Sequence, residues 1–139
     1  MQGLHLTADL HGCQCDAYWL TDAVATGARC VLAVESAGLS PVANLFYSFA
    51  GVGTQPCGFT ATVLLAESHL CLHTWPEQQA VTLDVYVCNY GGDQSAKALA
   101  LMATLVDLFK PRHTHRHALQ RGQAPAPHAA LACDVNRAA

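Results

Sequence analysis

Charge is scarce in this chain. Asp, Glu, Lys and Arg together make up 12% of its 139 residues and the net charge is only −3, so it has no basic stripe of the kind that holds a nucleic-acid backbone. Long apolar runs are missing as well. No stretch approaches the 18 or so residues of a spanning helix, and the opening MQGLHLTADLHG has no basic segment leading into an apolar one. These absences point to a cytoplasmic protein with neither nucleic acid nor membrane as partner. There is also no G-x-S-x-G elbow for a serine hydrolase and no C-x₂-C pair for a structural zinc site. What remains is a composition that is 52% apolar. It is too hydrophobic for disorder, and so little surface charge implies a sizeable subunit interface.

The seven cysteines are an odd number without a regular framework. In a reducing compartment most are expected to be free thiols that pack as small hydrophobes.

Periodicity divides the chain into elements. Leu4, Leu6, Ala8 and Leu10 alternate with His5, Thr7 and Asp9, as on a half-buried strand. Thr21 or Asp22 can cap a helix running to about Ala37, with Gly38 ending it. Pro41 to Phe49 reads as a strand, and Ala50 to Gly58 as a Gly/Pro loop. Strands are expected over Phe59–Glu67 and His69–Trp75, with Trp75 in the core and Pro76 as the stop. Val81–Cys88 alternates again, and a helix capped by Asp93 carries Ala96, Ala100, Leu101, Leu105 and Leu108. His113 to Leu119 suits a last strand. The order β-α-β-β-β-β-α-β predicts an α+β fold: a two-layer sandwich with a largely antiparallel sheet and two long helices on one face. Residues 1–120 form one domain in this reading, and 121–139 a flexible tail.

The chemistry concentrates in LLAESHLCLHTWPE, residues 64–77. A buried-looking strand that carries a carboxylate, a hydroxyl and two imidazoles must satisfy them mutually or use them. On a strand His69, Cys71, His73 and Trp75 share one face, and Cys88 at the end of the next strand is expected within reach of His73. A lone histidine or thiol of this kind is more often structural. Metal is the weaker reading. Cys13-x-Cys15 has the wrong spacing for a zinc pair, and alternate histidines His113, His115 and His117 need not converge on an ion, so solvent-facing side chains on an edge strand explain them more simply.

ESHLCLHTWPE followed by Asp84-Val85-Tyr86-Val87-Cys88 resembles the signature of the prokaryotic S-adenosylmethionine decarboxylases, pyruvoyl-dependent enzymes that process themselves. GLHLTADLHGCQCD is similar to the opening of that family, and Phe46-Tyr47-Ser48-Phe49 to its F-H-x-F segment. The resemblance implies self-cleavage between Glu67 and Ser68. Ser68 attacks the Glu67 carbonyl, and β-elimination and hydrolysis leave a pyruvoyl group at residue 68. That group forms a Schiff base with the substrate amine and serves as sole cofactor, without pyridoxal phosphate or metal. His73 matches the residue that serves in the elimination, Cys88 the proton donor in turnover, and Thr60 a hydroxyl that supports processing. Phe49 matches the aromatic that meets the substrate and Glu77 the carboxylate that holds the ribose. The implied assembly is a homodimer of cleaved units with active sites at the subunit contact.

The implied reaction is decarboxylation of S-adenosylmethionine for spermidine synthesis. The 50–58 loop is several residues longer than the family pattern, and it keeps open an alternative: ornithine or arginine, whose distal cation would need Glu77, Asp9 or Glu35. A non-catalytic regulatory homologue is the second alternative.

Overall fold

The computed structural model describes residues 2–51 and 57–123. The expected tail lies outside the described residues from 124 onward, as does most of the 50–58 loop. Six strands form one sheet: β1 (Gly3–His11), β2 (Pro41–Ser48), β3 (Phe59–Leu65), β4 (His69–Trp75), β5 (Ala80–Cys88) and β6 (His113–Arg121). Their spatial order is β2-β3-β4-β5-β1-β6, and every adjacent pair is antiparallel. The last strand runs to Arg121, two residues past the expected end and into the segment read as tail.

A four-residue helix α1 (Tyr18–Thr21) precedes α2 (Ala23–Ser36), and α3 (Ser95–Phe109) links β5 to β6. Asp22 caps α2 by accepting the Ala25 N–H at 2.9 Å, as the sequence suggested, and Gly38 takes φ +75° just past its end. For α3 the cap differs from expectation. Gln94 is the N-cap, while Asp93 accepts the Ser95 N–H at 2.8 Å one step earlier. That bonding to Ser95 holds the Asp93 carboxyl below its ordinary range.

The two long helices cover one face of the sheet, α2 over β2 and β3 and α3 over β1 and β5. Between the layers lie Leu6, Leu10, Phe59, Val63, Leu70, Leu72, Val85 and Phe109, all buried. Two buried threonines tie this core to α1, and the Thr26 hydroxyl does so by donating to Trp19 O at 3.1 Å. The buried Thr74 hydroxyl donates to Leu20 O at 2.8 Å and accepts the Phe59 N–H at 3.0 Å. Beside it Gly58 approaches so closely that an added Cβ would sit 1.9 Å from Thr74 O, so only glycine fits there.

Among the described residues no helix covers the other face of the sheet. Cross-strand register sets its side chains in rows. One row is Tyr47, Thr60, His73, Thr82, Asp9 and His115; the next is Leu45, Thr62, Cys71, Asp84, Thr7 and His117. Leu45 and Tyr47 are 67% and 60% exposed. Trp75 stands on this face as well, 39% exposed rather than in the core. Strand alternation puts it on the side of His69 and His73, and that outweighs its bulk.

Candidate active site

Ser68 lies at the end of a tight turn between β3 and β4. The Leu65 N–H donates to Ser68 O at 3.0 Å, which leaves Ala66 and the exposed Glu67 at the corner. The half-buried Ser68 hydroxyl accepts the Cys88 N–H at 2.9 Å, so two residues 20 apart in sequence are joined by the fold. The Cys88 side chain is 3% exposed. Neither Glu67 nor Ser68 has a positive φ. The turn therefore presents its hydroxyl through hydrogen bonding rather than through left-handed backbone strain.

A small cavity of about 170 Å³ opens beside this turn, lined by Glu67, Ser68, Cys88, Tyr90, Gln94 and Lys97 among others. Lys97 Nζ donates to Gly38 O at 3.0 Å. The Gln94 Oε1 atom is buried and has no hydrogen-bond partner among the described residues. Such an orphan acceptor costs roughly 1–3 kcal/mol, which suggests that the cavity is built for a group that donates, or for the amide turned round. The sequence reading passed over both Lys97 and Gln94. They precede the buried positions of α3, and only the turn of the chain from β5 into that helix brings them to Ser68.

His73 is not part of this cluster. It faces Thr82 across β5 and Thr60 across β3, and Thr60 Oγ1 donates to Leu72 O at 3.3 Å. Five residues of strand separate His73 from Ser68, about 17 Å. Six separate Thr82 from Cys88, about 20 Å. The expected reach from Cys88 to His73 therefore does not exist within one chain.

At the far end of β4 lies a larger cleft of about 640 Å³, lined by Cys13, Cys15, Phe49, Trp75 and Glu77 among others. The Phe49 and Trp75 rings lie 5.7 Å apart at a 36° tilt. The Phe49 N–H donates to Gly58 O at 2.9 Å, which fixes the loop that carries it. Among the described lining residues Glu77 is the one charged group. Burial pushes the Cys13 thiol up to about 11, with Cys15 adding to the effect, and burial raises Cys15 too, so both stay neutral near pH 7. The cleft thus offers two aromatic faces and one anion.

A third cluster was not foreseen. His5 Nε2 lies 2.5 Å from Asp84 Oδ1 and His69 Nε2 lies 3.6 Å from the same oxygen, with all three ligand-type atoms within 4.8 Å of one another. Arg121 Nη1 donates toward His5 Nδ1 at 3.4 Å. This favours the tautomer whose Nε2–H points at Asp84, leaving no free lone pair there for a metal. The guanidinium also sits 5.0 Å over the Tyr86 ring. The groups satisfy one another on the open sheet face. Only the register of β4, β5 and β1 unites positions 5, 69 and 84.

Residues 4–122 match the family model described as S-adenosylmethionine decarboxylase. The chain belongs to the S-adenosylmethionine decarboxylase family. It is 38% identical over 122 residues to the S-adenosylmethionine decarboxylase proenzyme of Aquifex aeolicus, covering 86% of this chain and 81% of that protein. The proenzyme of Picrophilus torridus is 34% identical, covering 86% and 84%. The fold resembles the crystal structure of the adenosylmethionine decarboxylase from Aquifex aeolicus with a TM-score of 0.73 at 35% identity, covering 88% of this chain and 92% of that one. As a member of the S-adenosylmethionine decarboxylase family the chain is a self-cleaving carboxy-lyase proenzyme, whose cofactor is a serine-derived pyruvoyl group rather than pyridoxal phosphate or a metal.

Proposed function

We propose that this protein cleaves itself between Glu67 and Ser68 and then decarboxylates S-adenosylmethionine, yielding the aminopropyl donor of spermidine synthesis. The observation that carries this reading is the hydrogen bond from the Cys88 amide to Ser68 Oγ. It joins the motif's serine to the residue expected to act as proton donor. The amide steadies the hydroxyl next to the Glu67 carbonyl, an arrangement suited to attack on that carbonyl and an N-to-O acyl shift. Elimination then frees the Glu67 carboxylate, and the resulting dehydroalanine tautomerises to an imine whose hydrolysis releases ammonia and leaves the ketone at residue 68.

The pyruvoyl ketone, once formed, supplies the electron sink for loss of carbon dioxide. The remaining work falls to side chains. Cys88, buried at the same turn, is placed to return a proton to the substrate carbon. Phe49 and Trp75 suit an adenine and a sulfonium cation through stacking and cation–π attraction, and Glu77 suits ribose hydroxyls. An aromatic cleft of this size matches S-adenosylmethionine better than ornithine or arginine, which have no ring to stack.

Substrate cleft and serine turn stand at opposite ends of β4, seven residues and about 23 Å apart from Ser68 to Trp75. A second copy resolves this distance. The open sheet face carries Thr60, His73 and Trp75 together with exposed Leu45 and Tyr47, large side chains that a second subunit would cover. Laid on that face about a twofold axis, a second chain brings its Ser68–Cys88 turn toward the Thr60, His73, Phe49 and Glu77 of the first. The active unit is then a homodimer with two composite sites. Among the described residues no helix is long and apolar enough to cross a membrane, in keeping with a cytoplasmic enzyme.

Release of carbon dioxide from carboxyl-labelled S-adenosylmethionine, ornithine and arginine tests the substrate, with turnover expected on the first alone. Intact-mass measurement tests the cleavage. A single uncleaved chain would return the protein to the regulatory-homologue alternative.

A further inference from the structure

The small cavity at the serine turn holds one cation and one carboxylate among its described lining residues, Lys97 and Glu67. We infer that Lys97 receives the main-chain carboxylate of Glu67 as it is expelled during maturation, and holds the new chain end clear of residue 68 afterwards. This inference rests on the proposed cleavage at 67–68.

The elimination has a clear electrostatic demand. In the ester formed by the acyl shift, the Cα proton of residue 68 passes to the imidazole of the second copy's His73, which the proposed dimer brings to this turn, the Cα–Cβ double bond forms, and the Cβ–Oγ bond breaks. Oγ departs as part of the Glu67 carboxylate, which acquires a full negative charge at the cavity that Glu67 and Lys97 line. A cation held there in advance stabilises charge that exists only as the reaction proceeds. Lys97 meets that requirement. Its stem lies along Gly38, and Nζ makes one hydrogen bond, to Gly38 O, so two of its three N–H donors are uncommitted to that contact. Gln94 lines the same cavity with its orphan Oε1. Rotation of that amide would turn its NH₂ inward as a second donor to a carboxylate, giving the buried group the partner it lacks. The cavity has little use for a cation in turnover, since stabilising the substrate carboxylate would oppose its loss.

The experiment compares Lys97→Gln, Lys97→Met and Lys97→Arg with wild type, following chain separation by intact mass with and without hydroxylamine, which cleaves the ester intermediate. Lys97→Gln keeps a donor for Gly38 O and removes only the charge. Lys97→Gln and Lys97→Met are expected to slow separation about tenfold or more while accumulating hydroxylamine-sensitive ester, and Lys97→Arg to mature near the wild-type rate. In the matured wild type, carboxypeptidase should release Glu67 slowly, and in Lys97→Gln quickly. Lys97→Gln maturing at the wild-type rate, or slowing without trappable ester, overturns the inference. A wild-type chain that never parts at 67–68 would instead sink the parent reading.

Discussion

The two ends of β4 are built for different tasks. At the Ser68 end a tight turn, an amide hydrogen bond and a cavity of about 170 Å³ surround a hydroxyl. At the Trp75 end a cleft nearly four times larger offers aromatic faces, neutral thiols and one carboxylate. The first end suits bond-making on the chain itself and the second suits recognition of a bulky cation. On the proposed reading, their separation by a whole strand means that one subunit carries the parts of a site without bringing them together.

The most severe way to break this contrast is to remove the serine. Ser68→Ala is expected to abolish both fragments on a denaturing gel and all carbon dioxide release, since no other residue at the turn can become a ketone. Next comes complementation. Ser68→Ala and His73→Ala, each inactive alone, should regain about a quarter of wild-type sites when co-expressed, because half the dimers are mixed and each mixed dimer has one intact composite site. No recovery would place serine and histidine in the same subunit's site. Cys88→Ala should still cleave but lose about 10²-fold in turnover, and undiminished turnover would assign the proton to another donor. At the cleft, Glu77→Gln should raise KM by about tenfold with cleavage unaffected, a split visible by combining mass and initial-rate measurements. The smallest effect is expected away from both ends. Thr74→Val strands the Leu20 carbonyl and the Phe59 amide, costing about 1–3 kcal/mol, read as a fall in Tm without change in kcat.

Much of this architecture was legible in the chain. Alternation from Leu4 to Leu10 and from Val81 to Val87 gave the right buried faces because a half-buried strand writes its orientation in every second residue. Asp22 and Gly38 marked α2 because capping is local chemistry. Trp75 misled because its size outweighed its parity. The meeting of His5, Asp84 and His69 was not legible, since it depends on register among three strands far apart in sequence. The distance from Ser68 to His73 was hidden by their closeness along the chain: five residues are neighbours on paper and about 17 Å apart when extended.

The position of β1 has one more consequence. It belongs to the N-terminal portion of the chain, yet it is wedged between β5 and β6, which belong to the C-terminal portion. Scission after residue 67 would therefore yield two interleaved pieces, each supplying a strand the other needs. Pulling them apart would require tearing both ladders of β1 as well as the pairing of β3 with β4. Such a molecule can sever its own backbone and remain folded, with the covalent link dispensable once the sheet has closed around it.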